Sequence, residues 1–182
     1  MKALKNRKVA VVIMICMILV SVLIGSSRSL SQLAGQVNDA FYQGVNGDGL
    51  SIQNDLQQRM NDAYNLVVVG RRYLQEDDAA ITQVLTAREA LANAQTPSEK
   101  YQKNNDLTAA TTELYYKLQE QQLSEKDAQY NSQLYAELSS RNTTIQNDGY
   151  NQMAEDFNRT LQQFPANLLS KVVFVQPAEL FR

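Results

Sequence analysis

The sequence predicts an all-α protein: a single N-terminal transmembrane helix that continues into an antiparallel up-and-down helical bundle of about four helices. Three observations carry this reading. Val9 to Gly25 form an apolar run with no charge, no proline and one hydroxyl. Only 7 Gly and 3 Pro occur in 182 residues, which favours long helices over a turn-rich β fold. After the run, apolar residues recur at three- and four-residue steps, the period of a helix with one buried face.

At about 1.5 Å per residue the run reaches roughly 25 Å, close to the thickness of a bilayer core. Lys2, Lys5, Arg7 and Lys8 precede it and Arg28 follows it. By the positive-inside rule the N-terminus is cytoplasmic, so the expected location is the cell membrane, single-pass, with the C-terminal domain extracytoplasmic. A cleaved secretory signal is the rival reading, and Gly25-Ser26-Ser27 offers small residues for cleavage. The run exceeds the usual signal core, so an uncleaved anchor is the expectation. Ile15 before Cys16 does not suit lipoprotein processing. The chain therefore divides into a basic N-terminus (1–8), an anchor (9–25) and one helical bundle domain (26–182).

Composition narrows the chemistry. His and Trp are absent, and the single Cys lies inside the apolar run. Neither an internal disulfide framework nor a His/Cys metal site can be built within one chain, and the same holds for a Ser-His-Asp or Cys-His catalytic set. No cofactor is expected. The formal net charge of -2, without a basic block after the apolar run, argues against nucleic acid as a partner.

The elements follow in order. Leu30, Leu33, Val37, Phe41 and Val45 extend the anchor as an amphipathic helix, and Asn46-Gly47-Asp48-Gly49 breaks it. A calcium-loop reading of Asn46, Asp48, Gly49 and Asp55 fails, because its first ligand position would be Gly44. Ser51 caps a helix striped by Ile52, Leu56, Met60, Ala63, Val67 and Gly70. Glu76-Asp77-Asp78 reads as a solvated helix start, and Ile81, Val84, Leu85, Arg88 and Leu91 continue the helical pattern. Thr96-Pro97-Ser98-Glu99 has the form of a capping box with proline in the first turn. Ser124-Glu125-Lys126-Asp127 is a weaker start signal. Leu134, Leu138, Ile145, Met153, Phe157, Leu161 and Phe164 form the longest stripe, with Gly149 inside it as a place for close approach. Pro165 ends that helix. The tail from Leu168 to Val175 is too apolar for a free linker: it folds back on the bundle or lies against the membrane, and both stay open.

Three stretches together resemble the LemA family of bacterial membrane-anchored helical proteins. The first is Val37-Asn38-Asp39-Ala40-Phe41 with Val45. The second is Gln57-Gln58-Arg59 with Asn65-Leu66-Val67, Arg71 and Tyr73, followed by Val84 and Ala87-Arg88. The third is Tyr150-Asn151, Asp156-Phe157-Asn158, Phe164-Pro165-Ala166-Asn167, Pro177 and Phe181. The chain departs from the family pattern at Tyr64, where Pro is usual, and at Asn61, where an acid is usual. Gly47 to Ser51 looks like an insertion, and Phe174-Val175 replaces a Gly-Phe pair. The resemblance implies a divergent member: a helical bundle on one span, with no established enzymatic activity.

The expected function is that of a non-enzymatic interaction or scaffold protein of the bacterial cell envelope, with its partner site beside the short tail. The alternative is a ligand-sensing ectodomain that signals through a partner. A third reading, a carboxylate hydrolase using Glu76, Asp77, Asp78 or Asp148, needs a cleft that nothing in the sequence predicts. Catalytic and metal-binding residues are accordingly none. Arg59, Asn65, Asn151, Asn158, Phe174 and Phe181 are candidates for a partner surface, although helical stripes are more often core than site. The expected partners are the lipid bilayer through Val9–Gly25 and a membrane or envelope protein; self-association stays open.

Overall fold

The computed structural model describes residues 7–182, so Lys2 and Lys5 of the basic N-terminus lie outside the described residues. Seven helices follow in order: α1 (Arg7–Gln43), α2 (Ile52–Gly70), α3 (Ala79–Asn93), α4 (Pro97–Gln119), α5 (Glu125–Gln146), α6 (Tyr150–Gln162) and α7 (Ala166–Val172). No strand occurs among the described residues. The all-α reading holds, and the apolar run continues without a break into the rest of α1. The helix count is higher than the sequence suggests, because Asn147-Asp148-Gly149 splits the longest stripe into α5 and α6, and α7 forms in the tail.

The chain resolves into two compact units. The first comprises residues up to Asn38 with Met153–Ala178, and the second Asp39–Gln152 with Glu179–Arg182.

In the first unit, α1 includes the only segment among the described residues long and apolar enough to cross a membrane, with mean hydropathy 2.9. Met17, Leu19 and Ile24 are more than half exposed, the surface that lipid would cover. The buried apolar residues of this unit are Leu30 and Val37 of α1 with Ala154, Phe157 and Leu161 of α6. The helix α6 ends at Gln162, and the Phe164–Pro165 peptide is cis. The helix α7 closes with a bond from the Val175 amide to the Ser170 carbonyl, while Phe174 takes φ 57. This is the left-handed C-terminal cap that usually carries glycine. Here it carries Phe174.

In the second unit α2–α5 pack as an up-down-up-down bundle, and cross-helix pairs fix the directions. Arg141 of α5 reaches Asp55 and Asp62 early in α2, while Arg72 beyond the end of α2 meets Asp127 at the start of α5, so these two helices are antiparallel. Lys117 late in α4 meets Asp78 at the start of α3. Tyr115 stacks on Tyr135 at 4.0 Å, and Asn104 bonds Asn142, setting α4 against α5. Leu56, Leu66, Val67, Ile81, Leu91, Leu107, Leu114, Leu118 and Leu134 fill the core at 2% exposure or less. At roughly 1.5–3 kcal/mol for each buried side chain of this size, such a core is the main source of the unit's stability.

The caps read from the sequence are present. Ser51 and Ser124 accept backbone bonds from Asn54 and Asp127. Thr96 and Glu99 form the full capping box with Pro97 at the start of α4. Asp78 caps α3 through the Ala80 amide.

Candidate functional site

Two places present chemistry that the cores do not use. The first lies in the first unit, around α7. Leu168 and Val172, four residues apart on α7, are 57% and 56% exposed, and Phe164 and Phe174 at its two ends are 80% and 83% exposed. A side chain of this kind normally gains about 1.5–3 kcal/mol from burial, so four together on seven helical residues and their flanks form a surface with no folding role of its own. Phe174 also bears the left-handed backbone, so its ring is displayed at a conformational cost. Beside it lies a cleft of about 520 Å³ lined by Asn158, Gln162, Asn167, Ser170, Lys171 and Gln176, with Leu161, Phe174, Val175 and Pro177 supplying apolar wall. The buried Oδ1 of Asn167 has no hydrogen-bond partner among the described residues.

Two asparagines hold the tail that follows. Asn158 Nδ2 donates to the Ala178 carbonyl at 2.9 Å and its Oδ1 accepts from the Ala178 amide at 2.7 Å, within the first unit. In the second unit Asn151 makes the same pair with Phe181, at 3.0 and 2.8 Å. The Tyr150 hydroxyl donates to the Glu179 carbonyl at 2.6 Å, and burial pushes its pKa up to about 12. Phe181 itself is 5% exposed, edge-on to Tyr101 at 5.3 Å and tilted against Phe41 at 6.1 Å.

The second place is in the second unit, where α2, α4 and α5 surround a cavity of about 230 Å³ lined by Arg59, Thr108, Thr112, Ser139, Asn142 and Thr143, among others. Arg59 is 1% exposed. Its Nη2 donates to Thr108 Oγ1 at 2.7 Å, and Thr108 donates in turn to the Asn104 carbonyl. Its Nε and Nη1 are buried without a partner among the described residues. Burial lowers its pKa to about 10, against the pull of Asp55 and Asp62, which are themselves bonded to Arg141. Burial is also the main cause that raises the Asp62 pKa.

The six residues singled out from the sequence are thus dispersed. Arg59 and Phe181 are buried within the second unit, Asn65 is half-buried on α2, and Asn151 and Asn158 are spent on the tail backbone. Phe174 alone of the six stands out as an exposed side chain. The tail beyond Pro177 is held at Ala178 by Asn158 and at Glu179 and Phe181 by Tyr150 and Asn151, and Leu168, Val172 and Phe164, the last already part of the family-like stretch, are exposed like Phe174. The acids of the third reading do not converge. Asp78 is bonded to Lys117 and the α3 cap, whereas Asp148 lines a different cleft with Asp48, each accepting from a nearby backbone amide. Among the described residues no group of three or more metal-ligating side chains occurs.

The LemA family model matches residues 50–182. The chain belongs to the LemA family. The matched LemA stretch includes Arg59 and its cavity, both asparagine clasps and the α7 face; the apolar part of α1 precedes it. No curated protein matches the chain.

Proposed function

We propose that this LemA family member is a non-enzymatic, single-pass protein of the bacterial cell envelope that binds a membrane or envelope protein through the α7 face. The observation that carries the reading is the exposed quartet Phe164, Leu168, Val172 and Phe174, in the same compact unit as the candidate membrane helix. The occupant is a polypeptide rather than an acyl chain, because the adjoining cleft is rich in amides: Asn158, Gln162, Asn167 and Gln176 suit a peptide backbone and gain nothing from hydrocarbon. Arg7 and Lys8 before the span, with Arg28 alone close after it, favour a cytoplasmic N-terminus and an extracytoplasmic remainder. Protease added to intact cells then digests residues after the span; a fully protected chain contradicts that orientation. The absence of His and the placement of the lone Cys within the apolar run support a binding role over catalysis.

The test is photo-crosslinking in native membranes from Leu168 and from Phe174, with the exposed Glu113 of α4 as control. A discrete protein adduct from the two α7 positions and not from Glu113 is the expected result. Adducts to lipid alone, or equal adducts from all three positions, overturn the reading.

A further inference from the structure

Arg59 raises a separate question, because an arginine at 1% exposure carries three N–H bonds on Nε and Nη1 that no described group accepts. Leaving buried donors of a charged group unmet is costly, and replacing such a group by an apolar one of similar shape is often neutral or stabilising. The surroundings do not look like a packing defect. Hydroxyls of Thr108, Thr112, Ser139 and Thr143 and the amide of Asn142 line the same cavity, and Ser139 and Thr143 are exposed, which gives it an opening to solvent. Asp55 and Asp62 lie one turn to either side of Arg59 on α2, yet both are bonded to Arg141 and neither accepts from Arg59. The guanidinium is therefore partly balanced in charge but open in hydrogen bonding.

We propose that this cavity binds a small oxyanion, a short carboxylate or a phosphate, on the unpaired N–H groups of Arg59. A cavity of about 230 Å³ is larger than the roughly 150 Å³ that holds a benzene-sized guest, so a ligand of several heavy atoms fits. Charge-assisted bonds from a guanidinium to an oxyanion are roughly twice as strong as neutral ones, which selects an anion over a neutral carbonyl compound. Thr112 of α4 and Ser139 of α5, which both line the cavity, supply further donors to its oxygens. The two aspartates make the affinity modest. This site is in the second unit and stands or falls independently of the α7 face.

The test uses the full chain in detergent micelles, with acetate, inorganic phosphate and the neutral isostere acetamide as probes at matched ionic strength. Titration calorimetry and thermal melting followed by far-ultraviolet circular dichroism give the readout. Saturable binding and a raised melting temperature with acetate or phosphate, and not with acetamide, are expected; which of the two binds more tightly distinguishes a carboxylate site from a phosphate site. Arg59→Met abolishes the effect while melting no lower than the parent without ligand, and Ser139→Ala weakens binding roughly tenfold, the worth of one bond to a charged group. Three results overturn the proposal: no saturable binding to the parent chain, equal binding of acetamide, or undiminished binding to Arg59→Met.

Discussion

Asn158 shows how one side chain fixes a stretch of tail that has no secondary structure of its own. Its amide supplies one donor and one acceptor to the Ala178 backbone, so Asn158→Leu leaves both backbone groups without their partner. The expected cost is about 1–3 kcal/mol, measured by urea unfolding of the full chain; an unchanged midpoint shows the clasp to be dispensable. Asp148 is the opposite case. Burial raises its pKa above the ordinary value, outweighing the bond from the Tyr150 amide that lowers it. A folded-state pKa above the unfolded one means that stability is lost as pH rises through the carboxylate range. Asp148→Asn keeps the cap, so it is expected to raise stability at neutral pH and flatten that part of the pH profile; a destabilised Asn variant refutes this. At this scale the sequence was only partly legible. Asn151 and Asn158 stand seven residues apart in the sequence, a spacing that lets each hydrogen-bond an adjacent helix or the tail, and the structure selects the tail. The burial of Arg59 depends on three helices meeting around it, which spacing along one helix does not encode.

Helix boundaries were most readable where side chains do the capping. Thr96-Pro97-Ser98-Glu99 satisfies local backbone donors by itself, so the start of α4 needs no tertiary information. The break between α5 and α6 was missed for the converse reason: Ile145 and Met153 keep the apolar stripe in step across Asn147-Asp148-Gly149, so periodicity hides a turn that Asp148 caps. The helix α1 ends at Gln43, two residues before Val45, the last residue of its stripe. Val45 is 47% exposed, and Gly44, at φ +88, makes the turn. A Cβ at Gly44 would clash with the Leu50 carbonyl oxygen, a backbone atom that cannot swing aside. Gly44→Ala therefore combines left-handed strain with a clash, and a loss of at least about 1–2 kcal/mol is expected in thermal or urea unfolding. A neutral result would show that the α1–α2 connection adapts freely.

For the molecule as a whole, the class of fold and the candidate anchor were evident from composition and period, because lipid and helical packing both impose long-range patterns on sequence. The α7 face was not, since an exposed apolar residue looks like a buried one until the surrounding chain is in place. Phe174 tests the central claim most directly. It occupies a left-handed cap and is 83% exposed, so the fold loses little with its ring, while a docking face loses an anchor. We expect Phe174→Gly to raise unfolding stability by about 1 kcal/mol and to abolish the protein adduct formed by a photo-crosslinker at Leu168 in native membranes. A variant that unfolds more easily, or one that retains the Leu168 adduct at full yield, would contradict the account.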